Sequence, residues 1–317
     1  MPARDVGRAG WKTTPSAFRV TPYPINAEPR LLRVSLINAL REAWLARTPA
    51  QRDRHLAAAA YWHQEWKRKA PEEREPAHDT DVFEGTARYI EATALRHALT
   101  GRAEARKGQM AKSVFPKRTV AMALDGESYD AGGLAGLILA ELRMDGWRQQ
   151  VISNDQSPID VLLNDIVPRA QRPDPATAKK RVKEQSAKNQ QEAAGAVDPL
   201  LTAYNNSKNA QLRIPESSFQ GSYEPGEFYV RSGPGPRQIY AKLEATSKVN
   251  SGTVSFSGRP VFSERVDGEE YIVVPIDPTA VTTQLNGAKL TLNDKTLIGS
   301  ITVKETHDGN RRILTAQ

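Results

Sequence analysis

The side chains best placed for chemistry lie on two short segments. In Glu84-Gly85-Thr86-Ala87-Arg88-Tyr89-Ile90-Glu91 the carboxylates of Glu84 and Glu91 are seven residues apart. Seven residues is close to two helical turns, so a helix presents both on one face. In Ser128-Tyr129-Asp130-Ala131-Gly132 a phenol stands just ahead of the apolar run Leu134 to Leu142. One carboxylate neither selects nor holds a metal strongly, so the histidines decide what Glu84 can do. There are five, His55, His63, His78, His97 and His307, and no two are four residues apart. His55 and His63 are eight apart and share a helical face, where ordinary surface or interhelical hydrogen bonding is the expected role.

Other chemistries find less support. With no cysteine in the chain there is no thiol nucleophile, disulfide or thiolate-bound metal. A G-x-S-x-G elbow, a P-loop and a dinucleotide-binding glycine pattern are all missing, and Gly132-Gly133 with Gly136 falls inside a helical pattern instead of following a strand. Glu72 and Glu73 sit in a charged stretch and read as solvated acids.

The first segment is similar to the E-G-x-A-x-Y-x-E helix of gluzincin zinc peptidases, including the aminopeptidase N-like enzymes. The second, 45 residues after Glu84, resembles the S-Y-x-x-G segment that follows in that family. The resemblance implies Glu84 as the third protein ligand of a catalytic zinc, Tyr129 as the hydrogen-bond donor to the oxyanion of the tetrahedral intermediate, and Glu91 as a group orienting a histidine or a substrate amine. The small Gly85 would let a neighbouring helix approach closely. Tyr23-Pro24, the helical stretch Leu31 to Ala46 and the helix preceding Glu84 are similar to the connector between the two metal-binding helices of bacterial gluzincin-like proteins.

The family also needs H-E-x-x-H, whose two imidazoles bind zinc and whose Glu deprotonates the metal-bound water. This chain does not contain it. In the family that helix precedes the Glu helix, and residues 1 to 24 read as irregular polypeptide, which puts the expected position of the motif upstream of Met1. The expectation is therefore a metallopeptidase-related protein with an incomplete metal site and no peptide-bond hydrolysis by the isolated chain. Zinc would belong to an intact parent protein. The alternative is a noncatalytic scaffold that binds a peptide or protein.

The elements that must position these residues follow from periodicity. Leu31 to Ala46, Ala50 to Lys69, Val82 to Leu99 and Tyr129 to Met144 carry apolar residues at three- and four-residue spacing and read as helices. Asp79, Thr80 and Asp81 offer cap oxygens ahead of the third helix, and Gly101 follows it. Trp44, Tyr61, Trp62 and Trp66 are expected to pack between helices. After the polar, hinge-like stretch Asn205 to Ala210, the runs Glu227 to Arg231, Gln238 to Leu243, Gly252 to Ser257, Glu270 to Val274, Lys289 to Leu292 and Leu297 to Val303 read as strands. Turn chemistry comes from Ser232-Gly233-Pro234-Gly235-Pro236 and Asp267-Gly268. The expected fold is α+β. A helical, gluzincin-like domain spans residues 1–204, and a small antiparallel β-rich domain, a sandwich or barrel, spans 205–317.

Composition narrows the partners. The 317 residues allow one large domain or two modest ones, and no window approaches the 18 or so apolar residues a membrane span needs. The net charge is +7, and its densest part, Arg169 to Lys188, lacks the interleaved aromatics on which bases stack. A peptide or protein is the expected partner, with neither nucleic acid nor membrane.

Overall fold

The computed structural model describes residues 21–118, 124–154, 156–172, 176–231, 238–280 and 283–317. The expected irregularity of residues 1 to 24 falls almost wholly outside these, as does the turn Ser232 to Pro236. Contacts divide the described chain into two units. One holds Thr21 and Ile25–Lys188, the other Pro22–Pro24 and Asn189–Gln317.

In the first unit, helix starts are written in the sequence. Helix α1 (Ala27–Leu45) opens where the Asn26 side chain accepts the Glu28 amide. Helix α2 (Pro49–Lys69) opens on Thr48, whose hydroxyl accepts the Gln51 amide, with Pro49 in the first turn where no amide donor is needed. A short 3-10 turn, Pro71–Glu73, leads directly into α3 (Arg74–Ala98). Helix α3 thus begins eight residues before Val82, and Asp79, Thr80 and Asp81 are interior residues of it instead of caps. Helices α4 (Ala103–Ser113), α5 (Leu124–Glu141), α6 (Trp147–Ser153) and α7 (Pro158–Leu163) follow. Every residue of α5 from Asp130 to Leu139 is buried. A helix covered all round is a core helix, and Leu134, Leu137 and Ile138 of α5 join Leu36, Leu40, Trp44, Trp66 and Phe115 in one apolar cluster. Trp44, Trp62 and Trp66 are buried as expected, and Trp44 meets Phe115 edge-on at 5.8 Å.

The last helix, α8 (Ala176–Asn205), runs without a break through Lys188 and Asn189. The contact-based division thus lies inside a helix, whereas composition changes at 204/205. The stretch expected as a hinge is a hydrogen-bonded turn. The Asn206 amide bonds the Thr202 carbonyl at 3.1 Å, the Asn209 amide bonds the Asn206 carbonyl at 3.0 Å, and the Asn209 side chain donates to the Ala203 carbonyl at 2.9 Å. These bonds occupy carbonyls that a helix end leaves open.

In the second unit the strands are β1 (Thr21–Tyr23), β2 (Ala210–Pro215), β3 (Phe219–Arg231), β4 (Gln238–Val249), β5 (Gly252–Val266), β6 (Glu269–Ile276), β7 (Thr283–Asn286), β8 (Lys289–Asp294), β9 (Leu297–Asp308) and β10 (Arg311–Ala316). They form one sheet in the order β1-β3-β4-β5-β6-β2-β10-β9-β8-β7. Strand β5 pairs with β6 through Phe262 to Val266 and with β9 through Thr253 to Phe256. The second pairing closes the ring β5-β6-β2-β10-β9. The sheet is mixed and not purely antiparallel, because β10 runs parallel to β2 with Leu314 opposite Leu212. The other four pairings of the ring are antiparallel. Leu212 and Ile214 of β2 and Ile301 and Val303 of β9 are buried at alternate positions, as in a closed sheet filled by its own side chains, while β6 is buried on both faces from Ile272 to Ile276. The fold class is α+β, as expected.

Candidate functional site

The two segments singled out in the sequence meet where α3 crosses α5. A Cβ built on Gly85 would lie 2.8 Å from the Gly132 Cα and 3.4 Å from the Ser128 carbonyl oxygen. Backbone meets backbone there, which only glycine on both helices permits. The contact continues along α5, where a Cβ on Gly136 would come within 2.8 Å of the Tyr89 ring. Gly132, Gly133 and Gly136 therefore form a channel on α5 in which α3 lies. Glu84 is one residue from this crossing and Tyr129 is three, so both belong to the turn at which the helices touch.

Their surroundings differ. Glu84 is half-buried, and among the described residues it makes no hydrogen bond or ion pair. Glu91 is exposed and bound to Arg88, Nη1 to Oε2 at 3.0 Å. The same Arg88 guanidinium lies 5.3 Å from the centre of the Tyr129 ring, a cation–π distance. One arginine thus engages two of the three residues that the sequence singles out.

A group of charges that sequence reasoning missed lies deeper. Arg30 and Arg33 of α1 are buried with Glu73 of the 3-10 turn, Asp81 of α3 and Glu127 of α5, each at most 5% exposed. Arg33 grips Asp81 with two nitrogens, at 2.6 and 3.1 Å, and places its guanidinium 4.8 Å from the centre of the Trp66 ring. Arg30 pairs with Glu73 and, at 2.5 Å, with Glu127. Trp66 donates its indole N–H to Glu73 at 3.0 Å. Glu73, read from sequence as a solvated acid, is a buried partner of Arg30. The expectation fails because a charged neighbourhood in sequence says nothing of an arginine 43 residues away that compensates burial. Paired charges of this kind fix the mutual rotation of four elements and present no reactive atom to solvent.

His63 makes the interhelical bond expected of it. Its Nε2 meets Asp160 Oδ1 at 3.0 Å, and its ring stacks on Trp66 at 5.8 Å. Asp160, in the first turn of α7, also accepts from Lys67 and from the Ser157 hydroxyl, the latter at 2.8 Å. Burial pushes the His63 imidazole below its ordinary range despite the Asp160 hydrogen bond. Asp160 is itself partly buried, but the hydrogen bond from His63 and the nearby Lys67 ammonium hold it well below the usual carboxylate range. A neutral imidazole with its proton on Nε2, donating to an ionised Asp160, satisfies both directions. Asp130, beside Tyr129, is 1% exposed and takes 2.6 Å from Arg118 Nε. Burial raises it even so.

The zinc ion implied by the resemblance does not fit the residues described. His63 is committed to Asp160, His97 and His307 are exposed on α3 and β9, and His78 stands six residues before Glu84 on α3. Among the described residues no three His, Asp or Glu side chains are grouped to hold a metal. Glu84 supplies one oxygen donor where tetrahedral zinc takes three or four protein ligands.

Comparison of the chain with protein-family models, curated proteins and solved structures finds no match.

Proposed function

We propose that this chain is a metallopeptidase-related protein that keeps the Glu- and Tyr-bearing helices of a gluzincin-like domain and does not hydrolyse peptides by itself. The observation that carries the reading is the glycine-to-glycine crossing of α3 and α5, which brings the E-G-x-A and S-Y-x-x-G segments into one turn. Glu84, beside that crossing and without a partner among the described residues, is the group available to a ligand. In the family, hydrolysis rests on the two imidazoles and the general base of H-E-x-x-H, a motif this sequence does not contain.

Zinc stoichiometry after dialysis and cleavage of fluorogenic peptides test this together. The expected outcome is zinc far below one per chain and no chelator-sensitive cleavage. Near-stoichiometric zinc, with cleavage abolished in Glu84→Ala, would overturn it.

A second reading, a noncatalytic scaffold for a peptide or protein, is favoured by Arg88. Its guanidinium already covers the Tyr129 ring and neutralises Glu91. On this reading the crossing is there for packing, and Glu84 is a contact for a cationic group of the partner. Retained partner binding in Tyr129→Phe, with loss in Glu84→Gln, separates it from a relic of catalysis.

A further inference from the structure

The first half of α8 displays charge that neither the core nor the α3–α5 crossing uses. Val182 and Ser186 are 1% and 2% exposed and fasten one side of the helix. Lys179, Lys180, Arg181 and Lys183 are all exposed. Lys179 and Lys183, one turn apart, share a face with Lys180 beside them within roughly 6 Å of helix axis, while Arg181 turns toward the other side of the helix. That span is shorter than the Debye length of about 8 Å at physiological ionic strength, so a partner meets the three lysines as one multiple charge. The nearest acid along the helix, Glu184, lies 3.9 Å from Lys180, with both side chains mostly in solvent, a pairing too loose to neutralise the group. Lys179, Arg181 and Lys183 make no ion pair among the described residues. Arg169 and Arg172, also exposed, precede the helix.

We infer that residues 179–184 of α8 form a docking surface for an acidic polypeptide segment, one rich in Asp and Glu. Three observations select this partner among anions. No aromatic side chain lies among these cations to stack on a base, and a nucleic-acid backbone is held by many more phosphate contacts than three side chains supply. No large apolar side chain is exposed in this stretch, since Val182 is buried, and a helix resting on a bilayer needs one to insert. Glu184 within the strip repels a uniform phosphate array, whereas a polypeptide can set a neutral or basic residue against it. The inference stands apart from the reading of Glu84 and Tyr129.

The test is fluorescence anisotropy of a labelled polyglutamate peptide titrated with the full chain. Saturable binding that weakens as salt rises is expected, together with a loss of roughly tenfold or more in Lys179→Gln/Lys180→Gln/Lys183→Gln, given the modest contribution of each exposed pair. Circular dichroism of that variant verifies its fold, and Glu184→Gln, which removes a repulsive charge beside Lys180, is expected to tighten binding. No binding to the peptide, or equal affinity in the triple variant, overturns the inference. So does tighter binding, through the same lysines, to duplex DNA or to phosphatidylserine vesicles at equal ionic strength.

Discussion

Gly85 and Gly132 touch backbone to backbone, with a Cβ on the first falling 2.8 Å from the Cα of the second. Two helices that meet this way cannot be spaced by a side chain, so the crossing fixes Glu84 relative to Tyr129 more tightly than interdigitated leucines would.

Gly85→Ala should therefore separate the helices. The new methyl meets backbone that cannot rotate aside, and overpacking of that kind costs about 1–3 kcal/mol, against about 1 kcal/mol gained in helix propensity. A net loss is expected in calorimetric melting, and a melting temperature equal to or above that of the parent chain would show that the crossing is looser than its geometry.

Arg33→Met should leave Asp81 buried without its bidentate partner. Breaking a buried pair by removing one member costs about 3–5 kcal/mol. Adding Asp81→Leu should recover part of that, since no charge is then stranded at this position. Urea midpoints of the parent, single and double variants measure both effects, and a double variant no more stable than the single would assign the loss to packing on Trp66.

The His63–Asp160 contact gives stability a pH dependence of known sign. Burial depresses the imidazole in the folded chain, so the unfolded chain, with an ordinary His pKa of about 6.5, takes up a proton first as pH falls. The contribution of His63 is complete above that value and shrinks as pH drops below it. Asp160, held low in the fold, adds its own loss only as pH falls below the ordinary carboxylate value of about 3.9. His63→Gln should flatten the decline in urea midpoint between neutral pH and about pH 5. An unchanged slope would place the titrating group elsewhere.

Glu84 and Glu73 should respond unequally to the same substitution. Glu84→Gln removes a charge with no partner among the described residues and should leave stability within about 0.5 kcal/mol. Glu73→Gln deprives buried Arg30 and the Trp66 indole of an ionised acceptor and should cost at least about 1–3 kcal/mol. A large loss for Glu84→Gln would mark that residue as structural.

Periodicity and capping residues made most helices legible, because Asn26, Thr48 and the apolar spacing act within a few residues of one another. The start of α3 was not legible. Asp79-Thr80-Asp81 has the composition of a cap, and the Arg33 that pairs with Asp81 inside the helix comes from 48 positions away. Strand β2 was missed although Leu212 and Ile214 alternate with Gln211 and Arg213, because it is short and adjoins a polar stretch, and β10 was missed because it opens on Arg311-Arg312; their parallel pairing leaves no local turn signal. Of the candidate site, the sequence marked the glycines and carboxylates, while the Arg88 contacts with Glu91 and Tyr129 depend on which rotamer packing selects.

The ring of the β-rich unit also has an order of assembly. Strand β5 is shared by β6 and β9, and β10 joins β2 across about a hundred residues of chain. The local hairpins can form as soon as their residues are available. The seam between Leu212 and Leu314 must wait for β10 and then bear the entropy of the whole loop it closes. On a ribosome, β2 would therefore spend most of the synthesis of this unit with one edge open, so the interval before β10 emerges is when the chain is most exposed to mispairing.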